Sequence, residues 1–186
     1  MVPAHYMIFR PGHHGSLDRL GGLPTHLPPR FLTAADSMAP EFERPAEPGP
    51  PMRFLAQFYC DPVHLPLPDT LCIQLYQSGP EYEPWPAYIR VPHGAKLNTE
   101  GLGVPAPEVI PHDVAWEQRD DPDQATVDDD DLAKSKVGGT CYFSDCLDPG
   151  EKLLLQLRQQ PGGFHFGGYT LVLAINEQGV IRPTLG

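Results

Sequence analysis

The amino-acid sequence predicts one β-rich domain assembled from two diverged copies of the same unit, and three observations carry that reading. The chain has 186 residues, near the usual size of one domain and long enough to bury a core without a metal or disulfides. It contains 24 Pro and 18 Gly. Proline breaks helices and interrupts central strands, so short elements joined by stiff surface loops are expected. Finally, the apolar segments recur in the same order in the two halves.

Taken in order, the first landmark is Leu17 to Leu20 followed by Gly21-Gly22, a pair suited to a tight turn at positive φ. Phe54-Leu55-Ala56-Gln57-Phe58 and the run Thr70 to Gly79 follow as strands, the second ending at a turn glycine. The same landmarks return as Ala133 to Val137 with Gly138-Gly139, then Leu153-Leu154-Leu155-Gln156-Leu157, then Thr170 to Gly179. Thr70 to Gly79 aligns on Thr170 to Gly179 without gaps, and the spacing upstream is similar, 13 positions from Gln57 to Thr70 and 14 from Gln156 to Thr170. The repeat units are residues 1 to about 80 and about 131 to 186, joined by a linker rich in Pro and Asp, about 81 to 130, within a single domain. Thr126 to Lys136 is the one segment that predicts a short helix, with Thr126 or Asp128 as N-cap and Asp128-Asp129-Asp130-Asp131 on its first turn.

Leu153 to Leu157 is almost continuously apolar, the pattern of a central strand covered on both faces. Gln156 within it, like Gln57 in the other copy, is then a buried amide whose donors and acceptor must be paired, and a latch to loop backbone is the role expected of both. Gly162-Gly163 and Gly167-Gly168 flank Phe164-His165-Phe166 as a flexible hairpin loop.

The acidic excess is large, with 24 Asp and Glu against 13 Lys and Arg and a formal charge of −11. That field repels nucleic acid and anionic lipid and speeds encounter with a basic partner. No apolar run approaches the roughly 20 residues of a membrane span, and Met1 to Arg10 lacks a signal-peptide stretch, so a cytoplasmic location is expected. Cys60, Cys72, Cys141 and Cys146 are too scattered for a disulfide framework.

Motifs that carry chemistry are sparse. Cys141 and Cys146 with His165, or His13-His14, lack metal-site spacing, so no metal or other cofactor is expected. Neither a phosphate-binding glycine loop nor a Gly-x-Ser-x-Gly elbow occurs, and Ser16 near His13 and His14 is the one local pairing of hydroxyl and imidazole. No catalytic residue is assigned.

The ordered set Leu20-Gly21-Gly22-Leu23-Pro24, Phe54 to Phe58, Lys136-Val137-Gly138-Gly139, Leu153 to Leu157 and Tyr169 to Ile175 resembles the YwqG-like family, bacterial proteins largely of unknown function. The resemblance spans nearly the whole chain and implies a duplicated α+β architecture. The sequence departs from the family pattern at Thr140-Cys141-Tyr142-Phe143 after the second glycine pair, and in the position of Trp85-Pro86. The family brings no established catalytic residues with it.

Two functions from different classes are compatible with these observations. The first is a non-catalytic binding protein, of the kind represented by an immunity or antitoxin-like protein, that occludes a basic toxin. Its contact residues are Tyr82, Trp85 and Trp116 as aromatic anchors and Asp128, Asp129, Asp130 and Asp131 as the acidic element. The second is an enzyme or small-molecule-binding protein with a site between the two repeat units.

Overall fold

The computed structural model describes residues 1–39, 41–44, 48–78, 85–123, 132–159 and 169–186. Its eleven strands are β1 (Val2–Pro11), β2 (Arg19–Leu20), β3 (Arg53–Tyr59), β4 (Thr70–Gln77), β5 (Pro86–Pro92), β6 (Val104–Pro105), β7 (His112–Asp121), β8 (Lys136–Gly138), β9 (Lys152–Arg158), β10 (Thr170–Ile175) and β11 (Ile181–Leu185). All join one sheet in the order β11-β10-β9-β8-β1-β7-β2-β3-β4-β5, with β6 paired in parallel to β3 and every other pair antiparallel.

The expected α+β class is corrected by this finding. Strand accounts for 46% of the chain and helical turns for 4%, and the described residues hold only three short 3-10 turns, at Ala34–Asp36, Glu41–Glu43 and Ser144–Cys146. Most of the predicted helix Thr126 to Lys136 lies outside the described residues. Its final part is not helical: Leu132 to Ser135 form turns and bends, and Lys136 opens β8. The reason is tertiary. The buried Gln156 amide donates to the carbonyls of Leu132 and Lys134 at 2.8 and 2.9 Å, and β8 pairs with β1 and β9. A helix dipole contribution of about 0.3–1 kcal/mol does not compete with that many fixed partners.

Read outward from the central pair β1 and β7, the sheet is a palindrome. β8, β9, β10 and β11 follow on one side and β2, β3, β4 and β5 on the other. The strands therefore form two equivalent sets, β1 to β5 and β7 to β11, and within each set the first strand does not pair with the second. Among the described residues, β1 pairs only with β7 and β8, and β7 only with β1 and β2. Each unit lends its first strand to the other, so neither can close its sheet alone. β5 and β7 both fall in the stretch that the sequence reading treats as a linker.

The equivalence extends to single hydrogen bonds. Val114 N donates to Asp18 O at 2.8 Å, and Met7 N to Ser135 O at 2.9 Å. Both β3 and β9 skip one residue in pairing with the next strand, at Leu55 and at Leu154. The gapless alignment of Thr70 to Gly79 on Thr170 to Gly179 is two residues out of step: Gln57 faces Gln74 while Gln156 faces Val172, so Gln74 corresponds to Val172 and not to Ala174. A shift of two keeps every side chain on its face of a strand, which is why the apolar pattern does not reveal it.

The sheet curls into a half-barrel whose edges meet where the Tyr88 hydroxyl on β5 donates to Ile181 O on β11, 3.1 Å away. Leu55, Phe58, Ile73 and Leu75 of one unit and Val137, Leu155, Leu157, Leu171 and Leu173 of the other share one apolar cluster. Leu65 and Leu67, from the loop between β3 and β4, join the same cluster. Two smaller clusters lie beneath the covering loops. One unites Leu32, Met52, Phe54, Tyr76 and Ala87, and the other Cys141, Cys146, Leu153 and Val172. Pro86, Pro92 and Pro183 lie in β5 and β11, the edge strands, where a missing N–H costs no ladder bond.

Candidate functional site

Trp116 marks the seam between the units. On the lent strand β7 it packs against the main core, its Nε1 donates to Asp18 Oδ2 at 2.7 Å, and the His64 ring stacks on it with centroids 5.2 Å apart and planes at 22°. Asp18 Oδ1 accepts Tyr59 N at 2.6 Å. Burial raises the Asp18 carboxyl above its ordinary value, against the lowering effect of these two donors.

His64 is held by Asp61, three residues earlier. Asp61 Oδ1 accepts the backbone N–H of Val63 and His64 at 2.7 and 2.8 Å, and Oδ2 accepts from His64 Nδ1 at 2.7 Å. An Asp three residues before a His at a loop start can bond both its backbone and its ring, which is why this short sequence builds an oriented imidazole. The contact of Nδ1 with Asp61 fixes the orientation of the ring. Burial pushes the Asp61 carboxyl up, but the bonds from His64 and Val63 outweigh it and hold the group below its usual range. His5 from β1 meets the His64 ring edge-on at 4.7 Å, and burial, then His64, lowers its pKa so that it stays neutral near pH 7. The cluster thus unites β1, β7 and the loop after β3 around one oriented imidazole. Nothing in the spacing of residues 5, 18, 61, 64 and 116 announces it; only the Asp61–His64 interval is local.

A second polar group lies wholly inside. Lys136 has no exposed surface and donates to Asp121 Oδ2 at 2.6 Å, while the Tyr6 hydroxyl donates to Asp121 Oδ1 at 2.6 Å and Thr140 N to Oδ2 at 3.0 Å. Burial lowers the Lys136 ammonium and Asp121 opposes that effect. Sequence reasoning misses this triad, because its members come from three strands and each alone reads as a surface residue.

Other singled-out residues have structural partners. Gln57 and Gln156 are fully buried and latched alike: Oε1 accepts Thr25 N in one and Tyr142 N in the other, at 3.0 and 3.3 Å. Nε2 donates to Leu17 O in the first and, as described, to Lys134 O in the second, the first at 3.0 Å. Gly21, Gly22, Gly138 and Gly139 all have positive φ, between 62 and 74°. Gly139 has a further reason to be glycine, since a Cβ there would collide with the Asp121 carboxylate and Ala4. Trp85 is half-buried and its Nε1 donates to Glu43 at 3.0 Å. Tyr82, Asp128, Asp129, Asp130, Asp131 and His165 lie outside the described residues.

The four cysteines are free thiols, and burial raises Cys141 to about 11 and Cys60 and Cys72 to about 12. Among the described residues, no three His, Cys, Asp or Glu side chains are placed to hold a metal ion. The Ser16 hydroxyl donates to Val114 O at 3.2 Å and His14 Nε2 contacts Pro11 O at 3.0 Å, so the local hydroxyl and imidazole each engage backbone instead of one another. No helix among the described residues is long and apolar enough to cross a membrane. No protein-family model and no curated protein matches the chain.

Proposed function

We propose that this is a non-catalytic binding protein of the YwqG-like family that engages a basic protein, acting as an immunity or antitoxin-like protein does on a basic toxin. The supporting observation is the acidic end of β7. Glu117, Asp120 and Asp123 are exposed there, Glu117 paired with Arg119 and Asp123 with the Met1 ammonium, and the run Asp128 to Asp131 follows in sequence, in a chain of net charge −11. A concentrated negative surface steers a basic partner and disfavours acidic competitors. Trp116 contributes through its position beside that surface, since its indole N–H is already taken by Asp18.

The test is capture of partners on the tagged protein from its native host at low and high salt, repeated with Glu117→Lys and Asp120→Lys combined. A stoichiometric basic protein, weakened by salt and lost from the charge-reversed variant, supports the reading. Capture of nothing, or equal capture by the variant, overturns it.

The seam cluster favours a second reading, a small-molecule or enzymatic site between the units, because Asp61 orients His64 beside His5 and Trp116. A small molecule that raises the melting temperature of the parent and not of His64→Ala would select this reading over the first.

A further inference from the structure

The two units differ in one slot. In the first unit, β3 pairs with β2 through Ala56 and Gln57, and Gly21 N donates to Leu55 O at 2.7 Å. Along the same edge, β6 then takes over in parallel, Val104 beside Arg53 and Pro105 beside Phe54. The segment around β6 is well seated. Ala106 and Val109 are buried in the main core, and Val109 O and Pro111 close over Gly21. In the second unit, β9 pairs with β8 through Leu155 and Gln156, but among the described residues nothing pairs with Lys152 and Leu153 on that edge.

A pocket of about 590 Å³ stands in that place. Its lining includes Gly138 and Gly139, Lys152 and Leu153, Val2 and Leu147. Five of these residues have equivalents by register in the first unit: the glycines match Gly21 and Gly22, Lys152 and Leu153 match Arg53 and Phe54, and Val2 matches Val109. The last pair follows because Met7 and Val114 make equivalent bonds to Ser135 and Asp18. The pocket is therefore the second copy of a strand-binding slot, and the first copy shows what fits it: an extended segment with small apolar residues and proline.

We propose that this pocket docks an extended, cationic peptide of a partner protein, paired in parallel with Lys152 and Leu153 as β6 is with Arg53 and Phe54. Backbone bonds to β9 supply the pairing, and small apolar side chains enter between Val2, Leu147 and Leu153. The charge follows from the net charge of −11 of the chain around the pocket; Asp123 at its rim is paired with the Met1 ammonium. This rests on the protein-binding reading and names one surface and one partner chemistry within it.

The probe is a synthetic peptide, Leu-Gly-Val-Pro-Ala-Pro, which copies residues 102–107 of the chain and carries two lysines at each end. Titrated into the isotopically labelled full chain, it is expected to shift the backbone amides of Gly138, Gly139, Lys152 and Leu153 saturably and to slow hydrogen exchange at Lys152 and Leu153. The same peptide flanked by glutamates binds at least tenfold more weakly. Leu147→Trp and, separately, Val2→Trp plug the pocket and weaken binding at least tenfold, with dispersed spectra confirming that each variant is folded. Absence of saturable shifts, shifts centred elsewhere, equal binding of the glutamate peptide or unchanged binding by both folded variants would each overturn the proposal. Capture of a basic partner by both plugged variants at the parent level would remove the groove and leave the acidic-surface function standing.

Discussion

Lys136 and Arg19 occupy equivalent places in the sheet, each a cation beside the latching glutamine of its unit, yet their surroundings are opposite. Around Lys136, the charges are closed: Asp121 takes its ammonium, and Tyr6 and Thr140 complete the carboxylate. Around Arg19 they are open. The guanidinium is half-buried, its Nη2 donates to Leu23 O, its Nε is buried without a hydrogen-bond partner, and Asp113 on the neighbouring strand spends one carboxylate oxygen on His14 and Ser16 N–H groups and leaves the other unbonded. The difference teaches that the two sets of strands share the backbone frame more strictly than the buried charges within it. Glycine pairs, glutamine latches and bulges hold the chain path and recur; the ionic row is free to diverge once each unit finds some way to neutralise it.

The sharpest way to break that comparison is Asp121→Ala. It leaves a fully buried ammonium without a counter-charge, and a loss of about 3–5 kcal/mol of unfolding free energy is expected, measured by urea titration. Lys136→Met should cost less, because Asp121 keeps its bonds from Tyr6 and Thr140. Arg19→Met should cost least, since that side chain keeps contact with water and has an unmet donor in the parent protein. A loss for Arg19→Met equal to that for Asp121→Ala would show that both halves depend on their cation alike, contrary to the contrast drawn from the geometry.

The glutamines test the shared part of the frame. Gln57→Ala and Gln156→Ala each remove a buried amide that ties two loop segments, orphaning backbone groups at Leu17 and Thr25 in one unit and at Leu132, Lys134 and Tyr142 in the other. A cost of about 2–3 kcal/mol is expected for each, read as a shift of denaturation midpoint with unchanged slope. Near-equal losses would confirm one latch used twice. A clear excess at Gln156 would mean that its bond to the Leu132 carbonyl carries more weight than the bond of Gln57 to the Thr25 hydroxyl.

These positions also show where the sequence is readable. A glutamine inside an apolar strand is conspicuous, and its recurrence in both halves signals the need for buried partners, which the two amides have. The palindromic order is not readable in this way. Lending β1 and β7 across the centre leaves no local trace, because a strand reads the same whichever neighbour it pairs with, and β7 with its exposed Glu117 to Asp120 end looks like part of an acidic linker. The all-β class was obscured for a related reason. Acidic residues ahead of Leu132 to Lys136 satisfy the local signals of a helix start, while the competing bonds come from Gln156, about twenty positions away in sequence. The seam cluster and the buried triad were hidden because each draws its members from strands brought together only by the lent pair.

The smallest expected effect concerns how each unit fastens its covering loop. In the first unit Asp36 accepts Arg30 through both oxygens, at 2.6 and 2.9 Å, and caps the turn through Thr33 N at 2.9 Å; in the second, Glu151 pairs with Arg182. The Arg30 guanidinium, ahead of burial that opposes it and the Thr33 bond, holds the Asp36 carboxyl at about 2 against an ordinary 3.8. A pKa lower in the folded than in the unfolded chain contributes stability that is complete above pH 3.8 and is lost as pH falls from there toward about 2. Arg30 is mostly exposed, so the ion pair adds little, and Asp36→Ala should cost about 1 kcal/mol at neutral pH, chiefly through the cap. The difference between parent and variant should then shrink as the pH is lowered through that window. A difference that stays constant with pH would assign the cost to packing of the loop and not to the carboxylate.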